Sequence, residues 1–317
     1  MKHTTRPAAL LAVLALVLTT WLTGGTPADD TTLVASGHHI DNTSKAAVRH
    51  AFRTRYAPTM EVPTRWTGSY EGCRAGAVSK KSRRATRKAV NFARAMGGLD
   101  PIRFTRFQNR RAQEAALIMG ANRSLSHYPP RNWRCWTTKG NKGAQTGNLA
   151  LRHPSIPSGR AIDQYMDDED DNNYAVAHRR WILNPATAVM GTGSTDIANA
   201  LIVVTKPRSG RATPRWIGWP TAGWFPNQVE PSGRWSLSST KRAHDFSQAK
   251  VRVRLVGGRF LKLVRHTPVD GAGPNTVAWD MRARANRAHR VTVSNIRVRG
   301  TTNTVKRRYV VRLFDAR

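Results

Sequence analysis

Two histidines pose the chemical question in this chain. His127 follows a stretch rich in Ala, Gln, Leu and Met, and Pro129-Pro130 close it off. His178 opens the run His178-Arg179-Arg180-Trp181-Ile182-Leu183-Asn184-Pro185. Between them lies a run of acids, Asp167-Asp168-Glu169-Asp170-Asp171, in an otherwise basic chain. An imidazole can move a proton near neutral pH or, when neutral, ligate a divalent metal such as zinc. A firm zinc site takes about four ligands, or three plus a water. Two histidines alone therefore leave two readings open: part of a metal centre, or hydrogen-bonding groups in the walls of a cleft. The acidic run offers oxygen ligands for calcium, but it lacks the glycine and the ligand spacing of an EF-hand and reads as a solvated loop. Other hydrolytic arrangements are missing from the sequence. There is no Gly-x-Ser-x-Gly elbow and no His-Glu-x-x-His, and neither Cys73 nor Cys135 has the sequence setting of a thiol protease.

The elements that must position these groups are legible in outline. Ala85, Ala89, Val90, Ala93 and Met96 follow helical spacing from about Ser82, and Gly97-Gly98 ends that helix. A second helix is expected from about Phe107 to Ala121, followed by a loop that carries His127, because the two prolines forbid further helix. Arg160 to about Asp168 reads as a short third helix, with Ile162, Tyr165 and Met166 on its apolar face. His178 through Leu183 reads as one more helical stretch, ended by Pro185. Ala200 to Val204 has the composition of a buried strand. From Pro207 the pattern changes to short alternating strands, Val251 to Leu255, Val291 to Val293 and Tyr309 to Phe314, separated by glycine-rich turns. That spacing predicts a β-sandwich. Trp216, Trp219, Trp224 and Trp235 fall at the junction, where they either pack the two parts together or line a carbohydrate surface.

Composition sets the compartment and the partners. With 52 Lys+Arg against 19 Asp+Glu, the 317-residue chain carries a net charge of +33. Such a field attracts polyanions. The basic residues are dispersed and no nucleic-acid motif is present, so envelope polyanions and lipids are the expected partners rather than nucleic acid. Lys2 and Arg6 precede an apolar run, Ala8 to Leu18, and small residues follow to Ala28, the pattern of a secretory signal over 1–28. In a secreted chain, two cysteines are expected to form a disulfide, Cys73 to Cys135. Residues 29–81 read as a basic lead-in, partly linker, the linker part running through His50.

The motifs taken together resemble a known family. Asn91-Phe92-Ala93-Arg94, then Ala112-Gln113 to His127, then Gly147-Asn148-Leu149-Ala150, then the His178 run and Met190-Gly191-Thr192-Gly193 resemble, in order and spacing, the bacterial branch of the CAP superfamily (cysteine-rich secretory proteins, antigen 5, pathogenesis-related 1), also called the SCP-domain branch. The resemblance covers about Ser82 to Thr205. It implies an α+β fold: an α-β-α sandwich over 82–206, holding a cleft with two histidines and two acids, followed by an all-β domain over 207–317. His127 and His178 resemble the two cleft histidines. Gly147 stands where the family's first glutamate is expected, and Asp168, three residues after Tyr165, resembles the second acid. By this likeness His127, His178 and Asp168 form the candidate metal or catalytic set. The expected function is a secreted, cell-wall-associated binding module for lipid, wall polymer or glycan. The alternative is a metal-dependent hydrolase using the two histidines.

Overall fold

The computed structural model describes residues 38–169 and 171–317. The expected signal segment lies outside the described residues. The described residues fall within one compact unit.

Its first half is a layered structure. A four-stranded sheet is ordered β1 (Arg103–Phe104), β3 (Val189–Ser194), β4 (Ala198–Ile202) and β2 (Gly147–Leu151), with β1 parallel to β3 and the other pairs antiparallel. One face packs on helices α3 (Arg106–Asn122) and α4 (Thr138–Thr146) through Ala112, Ala116, Met119, Ala144, Ala198 and Ile202. Met190, Leu201 and Val203 join the core that contains α2 (Lys80–Met96), α5 (Ser158–Asp167) and α6 (Ala177–Ile182). Both faces of β4 are therefore covered: all five residues are buried, and the one polar side chain, Asn199, is hydrogen-bonded to Thr192, Gly193 and Ser194.

The sequence explains the local geometry. Ser79, Thr105 and Thr137 cap α2, α3 and α4, each side chain accepting from a backbone N–H three residues on. The Met190-Gly191-Thr192-Gly193 run works through what it omits. A Cβ on Gly193 would lie 2.2 Å from the Gln113 backbone nitrogen, and one on Gly191 would lie 2.4 Å from the Gln108 carbonyl carbon. Only glycine lets α3 lie this close to β3.

The second half is a sandwich of two sheets. One is ordered β10 (Leu263–Arg265), β11 (Asn275–Met281), β7 (Arg234–Ser239) and β5 (Trp216–Trp219). The other is ordered β6 (Gly223–Pro226), β13 (Thr304–Phe314), β12 (Ala288–Val298) and β8 (His244–Asp245), with β9 (Lys250–Leu255) also paired to β12. The expected α+β class, with a layered domain followed by a β-sandwich, is what the chain adopts.

One expectation needs correcting. From His38 onward the lead-in is not a linker. It contains helix α1 (Lys45–Ala51), which buries Val48 and Ala51, and Phe52 and Tyr56 just beyond it are buried as well. Seven residues give too little periodicity to register as a helix in sequence. Of the two readings of the junction tryptophans, packing is the one the structure favours. Trp219 and Trp235 are buried in the core together with Trp279, and Trp216 stacks on His244 at 5.0 Å. One apolar cluster runs without a break from Ala89, Phe92 and Met190 in the layered half to Trp235, Trp279 and Val291 in the sandwich.

Candidate functional site

The cleft forms where the loop after α3, strand β2, helix α5 and the start of α6 meet. It encloses about 800 Å³ and is lined by both His127 and His178. Leu125, Leu149 and Ala150 supply apolar wall, and Arg152, Arg160, Asp163, Asp167 and Glu169 supply charge of both signs.

His178 sits in a buried setting. Its Nδ1 lies 2.8 Å from Asp168 Oδ1; the Asp168 side chain is 0% exposed and the ring 19%. A carboxylate oxygen only accepts, so Nδ1 donates, and in the neutral ring Nε2 keeps the free lone pair. Asp168 Oδ2 accepts from the Arg179 backbone N–H at 3.2 Å. The ring lies against Tyr165, 5.5 Å between centroids. The Tyr165 hydroxyl has the Asn148 and Asn199 backbone carbonyls in reach, both at 3.1 Å, and burial pushes its pKa well up, so it stays protonated. Asn148 of the Gly-Asn-Leu-Ala run donates to the His178 carbonyl at 3.0 Å, tying β2 to α6.

The next residue locks this wall to the β-sandwich. Arg179 is fully buried. It donates to the carbonyls of Met166 (2.7 Å), Asp167 (2.8 Å) and Arg234 (2.9 Å) and to Ser236 Oγ (3.0 Å). Burial pulls its pKa down to about 10, so it remains a cation at neutral pH. From the other side, Arg234 donates to the Asp168 and Glu169 carbonyls at 2.8 and 2.7 Å and pairs with Asp280 at 2.8 Å. Arg94 in α2 holds the far end of α6, donating to the Ile182 and Asn184 carbonyls at 2.8 and 2.9 Å, a favourable place for a cation.

His127 is held more lightly. It is exposed, and its Nδ1 lies 2.8 Å from the Ala144 carbonyl, which again leaves Nε2 free in the neutral ring. Its loop leaves α3 through Arg123, which has a left-handed φ of 46°. The expected disulfide, Cys73–Cys135, is present with 5.0 Å between Cα atoms and staples the lead-in to the segment just after this loop.

The structure brings His127 and His178 to one cleft and places Asp168 behind His178 rather than in the cleft lining. Among the described residues there is no group of three or more His, Cys, Asp or Glu that could hold a metal ion. The three-ligand set expected from His127, His178 and Asp168 is thus not assembled, because both Asp168 oxygens are engaged by α6. Two imidazoles fall short of the three protein ligands of a catalytic zinc. The acidic run is not a purely solvated loop. Asp168 is buried, and Asp167 has its pKa pushed up to about 8 by burial and by a hydrogen bond with Glu169, whose own pKa is lowered by that bond. Ser232 Oγ lies 2.9 Å from both carboxyl groups.

Gly147 takes no part in the lining. A Cβ there would lie 3.1 Å from both the Gly143 and Leu201 carbonyl oxygens, so the position is closed to an acid without movement of the backbone. Asp163, Asp167 and Glu169 bring the cleft's carboxyl groups instead. Sequence reading missed Asp163 and Arg179, although both lie in short helices beside residues it singled out.

This layering, with a two-histidine cleft between a post-helix loop and a helix N-terminus, defines an α-β-α sandwich with a histidine-lined pocket. Residues 87–204 match the sequence profile of the CAP family, described as the cysteine-rich secretory protein family. CAP proteins are generally extracellular interaction modules, and a structural disulfide fits that setting. A comparison with curated proteins gives no match. Among the described residues, no helix is long and apolar enough to cross a membrane.

Proposed function

We propose that the protein is a secreted, envelope-associated binding module whose cleft captures a polar, hydroxyl-rich ligand such as a glycan or a wall-polymer segment. The observation that carries this reading is the lining. Arginine and carboxyl groups both line an open cleft of about 800 Å³, with two imidazole Nε2 atoms placed to accept in the neutral rings. Hydroxyl groups bridge donors and acceptors of this kind, whereas a lipid tail would cover the cleft's polar groups without pairing them. The test is capture of purified wall glycans by the wild-type protein beside the His127→Ala/His178→Ala variant and an Arg152→Ala/Arg160→Ala variant. Tight capture that the arginine pair weakens at least tenfold supports the reading. Equal capture by all three, or preference for lipid vesicles, overturns it.

A second reading is hydrolysis, favoured by the Asp168–His178 pair. A buried carboxylate that fixes the imidazole tautomer is the arrangement that prepares a general base. Asp167, held largely protonated near neutral pH, is a candidate proton donor on the same cleft wall. No step through a metal is derived, because the donor set present does not fit one. Turnover of a wall glycan that disappears in His178→Ala and falls steeply in Asp168→Asn would establish this reading. Unchanged turnover in folded His178→Ala protein would end it.

A further inference from the structure

One face of the β-sandwich carries charge that the fold does not use. In the sheet containing β9, β12, β13 and β6, Arg254 lies opposite Arg290 and Arg252 opposite Thr292. Thr292 in turn lies opposite Arg308, Ala288 opposite Arg312, and Arg312 opposite Trp224. Strand alternation puts Lys250, Arg252, Arg254, Arg290, Arg308 and Arg312 on the outer face, because Val253, Val291, Val293, Tyr309 and Val311 between them are buried. The three strands that carry these six cations contain no Asp or Glu. None of the six makes an ion pair among the described residues.

Like charges directly opposite on an antiparallel pair destabilise it, and Arg254 with Arg290 is such a pair. A face that keeps them without a neutralising acid is arranged for an anion from outside. The pitch is also informative. Alternate residues along β9 are about 6.6 Å apart and neighbouring strands about 4.8 Å apart, so the cations form a grid rather than a socket for one small ion. At the edge of the sheet, Trp224 has Lys45 at 5.1 Å and Arg312 at 5.9 Å over its ring, which extends the basic surface across the sandwich to α1.

We infer that this face binds a linear phosphodiester polymer laid across β9, β12 and β13. Five of the six cations are arginines, whose forked donors match a doubly accepting anion. A phosphodiester carries its charge in the polymer backbone itself, so successive charges can follow the rows of guanidinium groups across adjacent strands, whereas a carboxylate hangs from a side group. The inference deepens the envelope-attachment part of the proposed function and is independent of the cleft, so failure here leaves cleft capture untouched, and the reverse also holds.

The test is binding to synthetic poly(glycerol phosphate) across a range of salt concentrations. The sheet variant is Arg252→Gln/Arg254→Gln/Arg290→Gln/Arg308→Gln. The control removes equal charge from exposed positions of α2, with Lys81→Gln/Arg84→Gln/Arg87→Gln/Lys88→Gln. The sheet variant is expected to lose at least about tenfold in affinity, and its log-log salt slope to fall by about 3 units, or roughly 0.7 per cation removed. The α2 variant should remain within about twofold of wild type. A melting curve checks the fold, and removing opposed like charges should leave the sheet variant at least as stable as wild type. Equal losses in both variants would assign the binding to bulk charge and overturn the inference. So would an unchanged sheet variant, or tighter binding by wild type to phosphatidylglycerol vesicles or polygalacturonate than to the phosphodiester polymer.

Discussion

The two walls of the cleft are built to different standards. The His178 wall is buried and cross-tied: Asp168 fixes the ring, Asn148 holds its backbone, and Arg179 reaches four acceptors that belong to α5 and the β-sandwich. The His127 wall is an exposed loop whose imidazole has one hydrogen bond, to the Ala144 carbonyl, with a disulfide nearby. One side is a fixed reference and the other an adjustable rim. A binding site gains from this division: the fixed side sets orientation without an ordering cost at the moment of binding, and the rim accommodates variation in the ligand.

The comparison can be broken most decisively at Arg179. Arg179→Met keeps an apolar stem but leaves buried acceptors unpaired, and it should cost at least about 3 kcal/mol in denaturant unfolding. A loss under about 1 kcal/mol would mean that the sandwich does not hold the His178 wall. Removing the staple is the next largest change. Cys73→Ser/Cys135→Ser, across a separation of 62 residues, should cost about 2–4 kcal/mol. Hydrogen exchange should then rise around His127 while α6 stays protected, and equal deprotection of both walls would erase the distinction between them.

Asp168→Asn against His127→Ala sharpens the contrast at the level of single side chains. The first should cost about 1–3 kcal/mol, because a charge-assisted bond to His178 and a buried acceptor are both altered. The second, at an exposed position, should stay within about 0.5 kcal/mol. Nitrogen NMR of the imidazoles should find His178 fixed as the Nδ1–H form in the wild type and released from it in Asp168→Asn. A further contrast concerns pH. The folded-state pKa of Asp167 is raised from 3.8 to about 8, so its stabilising contribution is full below the lower value and is lost as pH rises toward the upper. The melting temperature of the wild type should therefore fall more between pH 5 and pH 8 than that of Asp167→Asn, and parallel curves would show that Glu169 and Ser232 neutralise the effect.

What the sequence disclosed follows from physical range. The helix spacing of Ala85 to Met96, the proline stop after His127 and the strand alternation of Val251 to Leu255 depend on neighbours within a few residues, and each appears where it was expected. The two histidines were legible because their surrounding motifs are local. Arg179 was not, since its four acceptors come from Met166, Asp167, Arg234 and Ser236, and nothing in its own neighbourhood signals burial. The acidic run misled for the same reason. Consecutive carboxylates look solvated until Ser232 and Arg234 arrive from the sandwich. Gly147 looked like a lost acid, but the carbonyls of Gly143 and Leu201 that crowd it lie on two other elements.

The closure of the sandwich on its earliest element governs when this fold can exist. Helix α1 lies against the sheet that β13 completes: Arg49 donates to the Asp315 carbonyl at 3.4 Å, Arg53 just beyond the helix donates to the Ala316 carbonyl at 3.1 Å, and β6 gains its parallel partner only from residues 311–314. A ribosome that has released everything up to residue 300 has made a chain with an open sheet edge and an unpartnered first helix. Contacts this distant in sequence form late and slowly. The pairing that seals the sandwich over α1 therefore waits for β13, the last strand among the described residues.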